Sequence, residues 1–245
     1  MISAQMPRAE DGFVPTLNGR GYMTVQRDLF MNSFIESAAS SRYPVLDVGA
    51  AYGVATIPAL EAGATVIAND LDQRHLKIIQ DLCPEPLRER LTLLEGEFPF
   101  TTSLPPQSIG AALLARVAHF YDGRALTQIA DALFEILVPG GKVFLTAETP
   151  YLGNWREFTP IYEERKKAGD LWPGFVECVQ DIAPERGKNL PQTMHLLDPD
   201  VLRRLFSEAG FMIEECRTFA RPEFPADIQL DGRESVGLIA VRPAE

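Results

Sequence analysis

The chain alternates short apolar runs with amphipathic segments over most of its length. Five apolar runs have the length of buried strands, and they lie at residues 44–48, 64–69, 91–94, 109–115 and 142–146. The run at 109–115 is continuous rather than alternating, which is typical of a parallel strand buried on both faces. The segments between the runs predict helices at 53–63, 72–82 and 122–138. This order predicts an α/β fold with a parallel sheet and helices on both faces.

The same patterns extend the fold toward both ends of the chain. Thr24 stands before apolar residues at helical spacing, which predicts a helix over 24–40 with Thr24 as its cap. Asp198-Pro199 is typical of a helix start and predicts a helix over 198–210. Two closing strands are predicted at 211–219 and 236–241. With these two strands the sheet is expected to have seven.

Residues 149–197 do not follow the alternation, and we interpret them as a helical cap inserted after the fifth strand. The α/β domain then consists of 43–148 and 198–245, with a cover and a helix in 1–42. The insertion is rich in aromatic residues around one amide, Asn154. These aromatic residues either form the core of the cap or line a substrate pocket, and the candidates are Tyr151, Trp155, Tyr162 and Trp172.

Composition narrows the classes of partner. The formal net charge of −11 argues against a nucleic acid or an anionic membrane. Three scattered cysteines and three scattered histidines form no metal-binding motif, so no metal site is expected. The first twenty residues lack the features of a signal peptide, and no apolar stretch approaches the ~20 residues of a membrane helix. We therefore expect a cytoplasmic protein that acts on small molecules, of unknown oligomeric state.

The strongest chemical feature is the segment from Val45 to Gly53, which reads VLDVGAAYG between the first strand and the first helix of the sheet. Small residues at such a turn let a ligand approach the backbone closely. The segment is a poor match to the dinucleotide pattern G-x-G-x-x-G, because Ala51 and Val54 hold its second and third glycine positions. A phosphate-binding Walker loop is also absent, since no Gly-Lys-Ser/Thr follows.

This segment instead resembles the first motif of class I S-adenosylmethionine-dependent methyltransferases, an acid followed by G-x-G-x-G. Ala51 replaces the middle glycine of that motif. The resemblance implies a Rossmann-like sheet that binds S-adenosylmethionine. It implies cosubstrate contacts from Asp47, Gly49, Ala51 and Gly53.

Later segments resemble further motifs of the same family in the same order. Asp70 ends the second strand, where the family's acid binds the ribose hydroxyls; Leu71 adjoins it, and Asp72 is the alternative acid. Glu97 takes the place of the acid that receives the adenine amino group, with Phe98 against the ring. Arg116, at the end of the fourth strand, either contacts the cosubstrate or pairs with an acid.

The resemblance implies a methyltransferase that acts on a small molecule. Two alternatives stay open. One is an enzyme of the same fold that transfers or cyclises the aminocarboxypropyl group, forming azetidine-2-carboxylate and methylthioadenosine; the other is a non-catalytic S-adenosylmethionine-binding module. Three residues near the expected site are candidate catalytic groups, each with a packing role as its alternative, and these are Tyr22, His119 and Asn154.

Overall fold

The computed structural model describes residue 7 and residues 13–184 and 190–244. The first half contains β1 (Phe13–Pro15), β2 (Tyr22–Thr24), α1 (Leu29–Ala39), β3 (Val45–Val48), α2 (Thr56–Glu61), β4 (Val66–Asp70), α3 (Gln73–Leu82), β5 (Leu91–Glu95) and β6 (Ile109–Ala115). The second half contains α4 (Gly123–Ile136), β7 (Leu137–Glu148), α5 (Thr159–Lys167), β8 (Phe175–Val176), α6 (Val179–Ile182), β9 (Met194–His195), α7 (Pro199–Glu208), β10 (Met212–Phe219) and β11 (Ser235–Val241).

Seven strands form one sheet in the order β10-β11-β7-β6-β3-β4-β5. The strands from β3 to β7 are mutually parallel, and β11 is antiparallel to both of its neighbours. The predicted α/β fold with a mostly parallel, seven-stranded sheet is confirmed. The strand order reverses between β3 and β6, and ligands of such sheets bind at the carboxyl ends of the strands beside that reversal.

The central strands are buried on both faces. In β6, Ala111 and Leu113 pack in one apolar cluster with residues of α1 and α2. Their neighbours Ala112 and Leu114 pack in another with residues of α4 and α7. Successive side chains of a strand point to opposite faces, so both faces need apolar residues. This explains the continuous apolar run that the sequence shows.

Two local predictions are wrong. Helix α1 begins after Asp28, whose carboxylate accepts a hydrogen bond from the Met31 backbone, while Thr24 lies in β2. Aspartate is the stronger cap because its carboxylate is charged. The strand predicted at 142–146 already starts at Leu137, so residues 139–141 lie within β7, and the pairing of β6 with β7 shifts register there. Phe175 and Val176 form strand β8, which pairs with β9.

The inserted segment is mixed rather than purely helical, which corrects the expected helical cap. It contains α5, α6, a 3-10 turn at Gly153–Trp155 and the β8–β9 ribbon. Its apolar side chains form a cluster of their own, which also includes Phe224 and Ile228 from the segment between β10 and β11. The insertion is therefore fixed to the α/β domain by shared apolar contacts.

Candidate functional site

Two adjoining cavities lie at the carboxyl ends of the central strands. The main cavity is lined by Asp47, residues 49–51, Asp70, Leu71 and the start of the segment after β6, and eight residues between Thr16 and Asp28 cover it. The side cavity lies between β1, the segment after β6 and the insertion. Both are lined by Tyr22, Arg116 and Phe120. These three residues therefore mark the junction of the two cavities.

In the glycine loop after β3, Gly49 and Ala51 both line the main cavity and have a left-handed backbone conformation. Gly49 has φ +68°, and a Cβ there would lie 2.5 Å from Val117 Cγ2, so only glycine fits. Ala51 has φ +45°, a conformation that costs an alanine ~1–2 kcal/mol. Its backbone N–H donates to Asp70 Oδ2 at 2.9 Å, and this bond holds the loop against the strain. The alanine that departs from the glycine motif is thus tied to the next motif's acid.

Gly53 lies outside the main cavity and has a packing role. A Cβ at Gly53 would lie 3.2 Å from Ile79 Cγ1, and its own φ is +78°. Its N–H donates to the Ala50 carbonyl at 2.8 Å. Gly53 therefore helps to close the turn before α2, and its contact with the cosubstrate stays a prediction.

Asp47 is a buried carboxyl that lines the main cavity. Thr56 Oγ1 donates to its Oδ2 at 2.6 Å. Burial raises its pKa to about 6, against the lowering effect of the Thr56 hydrogen bond, and nearby Asp70 raises it further. A carboxylate in this position is stabilised by a cationic group placed in the cavity.

Asp70 is the most highly connected acid of the site. Its Oδ2 accepts from Ala51, and its Oδ1 accepts from the Asp72 backbone at 2.9 Å. His75 Nδ1 lies 3.0 Å from Oδ1, and His75 Nε2 accepts from the Leu17 backbone. Since Nε2 accepts, Nδ1 carries the hydrogen and donates to Asp70. Oδ1 already accepts two hydrogen bonds, whereas Oδ2 accepts one and keeps capacity for a further donor from a ligand.

Asp72, the alternative to Asp70, has a different role. It caps α3 by accepting from the Arg74 backbone, and it forms an ion pair with the Arg74 guanidinium at 2.5 Å. These bonds lower its pKa. Because Asp70 lines the main cavity and Asp72 does not, the geometry favours Asp70 as the ligand-binding acid.

Neither Glu97 nor Phe98 lines the main cavity. Glu97 Oε1 is 3.8 Å from Arg20 Nη1, and the Tyr121 hydroxyl also interacts with Glu97. Arg20 and Tyr121 themselves line the main cavity, so Glu97 is at its rim. Phe98 is only 2% exposed and packs in the apolar cluster under α4 and α7. Phe98 therefore has a packing role in this structure, and its contact with a ligand ring stays a prediction.

Arg116 pairs with an acid, which is one of the two roles left open for it. Its Nη2 donates to Glu148 Oε1 at 2.7 Å, and its backbone has φ +59°. Its Nε and Nη1 are buried without a hydrogen-bond partner. The residue thus pairs with an acid and also lines both cavities.

The three candidate catalytic residues all line the side cavity. His119 is buried, and this burial lowers its pKa to about 4, with Glu148 raising and Arg116 lowering it. Its Nδ1 has no partner, and neither has Asn154 Oδ1. Tyr22 belongs to both cavities. The structure brings these residues together from β2, the segment after β6 and the insertion.

The four aromatic residues expected around a substrate line neither cavity. Tyr151, Trp155 and Tyr162 form the core of the insertion. The Tyr151 hydroxyl donates to Glu163, and the Tyr162 hydroxyl donates to Asp198. Trp172 packs against His195, with the Arg204 guanidinium over its ring. Their placement favours the alternative of a structural core.

Several wall residues carry no local signal in the sequence. The side cavity is closed by apolar residues from distant segments, namely Phe13, Phe120, Leu152, Met194, Phe224 and Ile228. Arg20 of the main cavity is equally inconspicuous. Gly19 and Gly21, both with positive φ, are the one hint that a turn brings Arg20 back over the strands.

Two further features concern only the described part of the chain. Within it, no cluster of histidine, cysteine, aspartate or glutamate has the geometry of a metal site. No helix there has the length and apolar character needed to cross a membrane.

The central part of the chain is similar in sequence to a known protein family. Residues 46–145 match the family model described as a methyltransferase domain. A search of curated proteins found no match. The structure is similar to an S-adenosylmethionine-dependent methyltransferase from Mesorhizobium loti, at 18% identity and TM-score 0.61, covering 86% of this chain and 95% of that one.

Two other solved structures are similar. One is a SAM-dependent methyltransferase from Methanosarcina mazei, at 14% identity and TM-score 0.65, covering 90% of this chain and 100% of that one. The other is the glycopeptide N-methyltransferase MtfA in complex with S-adenosylhomocysteine, at 18% identity and TM-score 0.54, covering 87% of this chain and 88% of that one. Likeness at these identities establishes a shared fold.

Proposed function

We propose that this chain is a class I S-adenosylmethionine-dependent methyltransferase, which transfers the methyl group to a small molecule bound in the side cavity. The match of residues 46–145 to a methyltransferase domain supports this activity. The fold that the chain shares with solved methyltransferases, among them one in complex with S-adenosylhomocysteine, supports S-adenosylmethionine as the cosubstrate.

The main cavity has the groups that the cosubstrate requires. Asp70 presents a carboxylate for the ribose hydroxyls, beside the glycine loop that it holds in place. Asp47 offers negative charge to the ammonium and sulfonium groups. Arg20 and Arg116 line the same cavity and offer donors to the carboxylate. Glu97 acts from the rim through Arg20 and Tyr121.

The single observation that carries the proposal is the junction of the two cavities at Tyr22, Arg116 and Phe120. When bound, S-adenosylmethionine supplies an electrophilic methyl group on a sulfonium. Transfer needs a nucleophile aligned with that methyl and a site without bulk water. A separate, largely apolar side cavity that opens beside the main one supports an acceptor site. Cyclisation of the cosubstrate itself needs no such cavity.

The walls of the side cavity support a small acceptor. They come from β1, the insertion and residues 224–228, which together enclose it. The net charge of −11 supports an acceptor other than a nucleic acid. The three cysteines are free, which is typical of a reducing compartment and supports a cytoplasmic location.

Mass spectrometry of the cosubstrate products tests this proposal. The protein is incubated with S-adenosylmethionine alone and then with a set of small hydroxyl, amine and carboxylic acid compounds. We expect S-adenosylhomocysteine to form only after an acceptor is added. Methylthioadenosine formed without an acceptor would instead support aminocarboxypropyl chemistry, and an absence of cosubstrate binding in calorimetry would contradict both.

A further inference from the structure

Residues that line the side cavity carry buried polar atoms without partners. Among the described residues that line it, these are Nε and Nη1 of Arg116, Nδ1 of His119 and Oδ1 of Asn154. A buried polar atom that has lost water without gaining a partner is unfavourable, and such atoms are rare in folded proteins. Their concentration at one small cavity indicates that a ligand satisfies them.

The charges at these atoms limit what the ligand can be. The Arg116 guanidinium is already balanced by Glu148, at 2.7 Å. Burial lowers the pKa of His119 to about 4, so its ring is neutral at pH 7 and one ring nitrogen can accept a hydrogen bond. A carboxylate in the cavity would be repelled by the Glu148 carboxylate and the Asn154 carbonyl oxygen. An ammonium would be repelled by the Arg116 guanidinium.

A hydroxyl group can form hydrogen bonds both with the unpartnered donors and with the unpartnered acceptors. Its oxygen accepts from the Arg116 N–H groups, and its hydrogen is donated to His119 or to Asn154 Oδ1. The remaining walls are mainly apolar, with the rings of Phe13 and Phe224 among them. Resting on the proposed function, we propose that the acceptor is an uncharged, largely apolar phenol or enol, methylated on its oxygen with His119 receiving the proton.

The reaction balances within these groups. A bond forms between the acceptor oxygen and the methyl carbon, and the carbon–sulfur bond breaks with its electron pair on sulfur. The hydroxyl proton moves to the neutral His119 ring; burial disfavours the resulting cation, and the negative charge of Glu148 partly offsets that cost. Arg116 donates to the oxygen as negative charge develops there. The products are a methyl ether and S-adenosylhomocysteine, whose sulfur is uncharged.

Fluorine NMR with matched probes tests the selectivity. The protein saturated with S-adenosylhomocysteine is titrated with 4-fluorophenol, 4-fluorobenzoate and 4-fluorobenzylammonium. We expect the phenol to bind at least about tenfold more tightly than either ion, the scale of one good hydrogen bond against an unpaired charge. Preference for either ion, or binding of none of the three, overturns the proposal while leaving methyl transfer itself open.

An amide substitution locates the probe. Asn154→Leu keeps the side-chain size but removes the acceptor, so 4-fluorophenol should bind about three- to tenfold more weakly. Asn32→Leu is the matched control on the exposed face of α1 and should change nothing. Both variants should keep the wild-type affinity for S-adenosylhomocysteine. Equal phenol affinity in the wild type and Asn154→Leu contradicts the assignment.

The role of His119 has a kinetic signature. With S-adenosylmethionine and 4-fluorophenol, formation of 4-fluoroanisole by His119→Gln should be about a hundredfold slower at pH 7, the usual contribution of a positioned base. Near pH ~10 the phenol ionises unaided, so the variant should recover most of the wild-type rate. A rate deficit that is the same at both pH values shows that His119 serves packing rather than proton transfer. Wild-type activity in His119→Gln at pH 7 also overturns the role.

Discussion

Asp47 shows how one buried residue makes ligand affinity depend on pH. It lines the main cavity with its pKa raised to about 6, chiefly by burial, so it is partly protonated in mildly acidic solution. A cationic ligand group stabilises only the ionised form and lowers the pKa in the complex. Binding therefore releases a proton when the pH is below about 6. It releases almost none at pH 7.5.

Cosubstrate affinity should consequently fall as the pH is lowered through about 6. Between pH 7 and pH 5 we expect about a tenfold loss of S-adenosylmethionine affinity, measured by calorimetry. Asp47→Asn should bind more weakly at pH 7.5 and lose this pH dependence. Asp81→Asn, at an exposed position of α3, is the control and should keep the wild-type profile. A flat wild-type profile would contradict the account of Asp47.

The role of a residue can be predicted from the sequence when that role depends on the residue's place along the backbone. Asp47 lies near the end of β3 and Asp70 ends β4, and the strand ends of a parallel sheet meet at one edge. The burial of Phe98 is not evident from local sequence, because it depends on packing with residues of α4 and α7. The buried surroundings that set the pKa of His119 and Asp47 come from several segments, so local sequence carries no sign of them.

At the scale of elements, the segment around β1 and β2 closes the main cavity and is held at three points. The Tyr52 hydroxyl donates to the Pro15 carbonyl at 2.7 Å. Arg74 Nη2 donates to the Leu17 carbonyl at 2.5 Å, and His75 Nε2 accepts from the Leu17 backbone at 3.0 Å. Since His75 also binds Asp70, the segment around β1 and β2 shares one hydrogen-bond network with Asp70.

Weakening this attachment should affect ligand release. Tyr52→Phe removes one bond and leaves a carbonyl unpaired, so residues 13–24 should exchange their amide hydrogens faster. Dissociation of S-adenosylhomocysteine should become about three- to tenfold faster, measured by stopped-flow displacement. Tyr43→Phe, at an exposed position before β3, is the control. Unchanged exchange in Tyr52→Phe would show that this bond does not hold the cover.

The elements that the sequence missed share a physical cause. Strands β1, β2, β8 and β9 have two or three residues each, too few for a period of hydrophobicity to emerge. They are held by distant contacts, such as Tyr52 on Pro15 and the pairing of β8 with β9. The longer elements of the sheet follow from their own apolar patterns, and those predictions are confirmed.

For the whole molecule, architecture and site differ in how far local sequence determines them. The sheet order follows from alternating strands and helices with right-handed crossovers. The cavity walls combine residues from β1 to the segment between β10 and β11, more than 200 positions apart from Phe13 to Phe224 and Ile228. Only folding brings them together. The proposed acceptor site therefore follows from the three-dimensional structure and from no single sequence motif.

Ligand binding should stabilise the whole domain. At a concentration about a hundred times its dissociation constant, S-adenosylhomocysteine should add ~2.7 kcal/mol to the free energy of unfolding. For a chain of this length that corresponds to a rise in Tm of roughly 5–10 °C by calorimetry. Adenosine lacks the amino acid end that Asp47 faces and should give a smaller rise at the same concentration. Equal shifts from both ligands would contradict the role of Asp47.

The most direct test of the central claim is a calorimetric titration of S-adenosylhomocysteine into the wild type and Asp70→Ala. The account predicts a single site in the wild type and at least about tenfold weaker binding in the variant, the scale of a lost charged hydrogen bond. Asp81→Asn should bind as the wild type does. Wild-type affinity in a folded Asp70→Ala variant, or no binding to the wild type, would contradict the assignment of the main cavity to the cosubstrate.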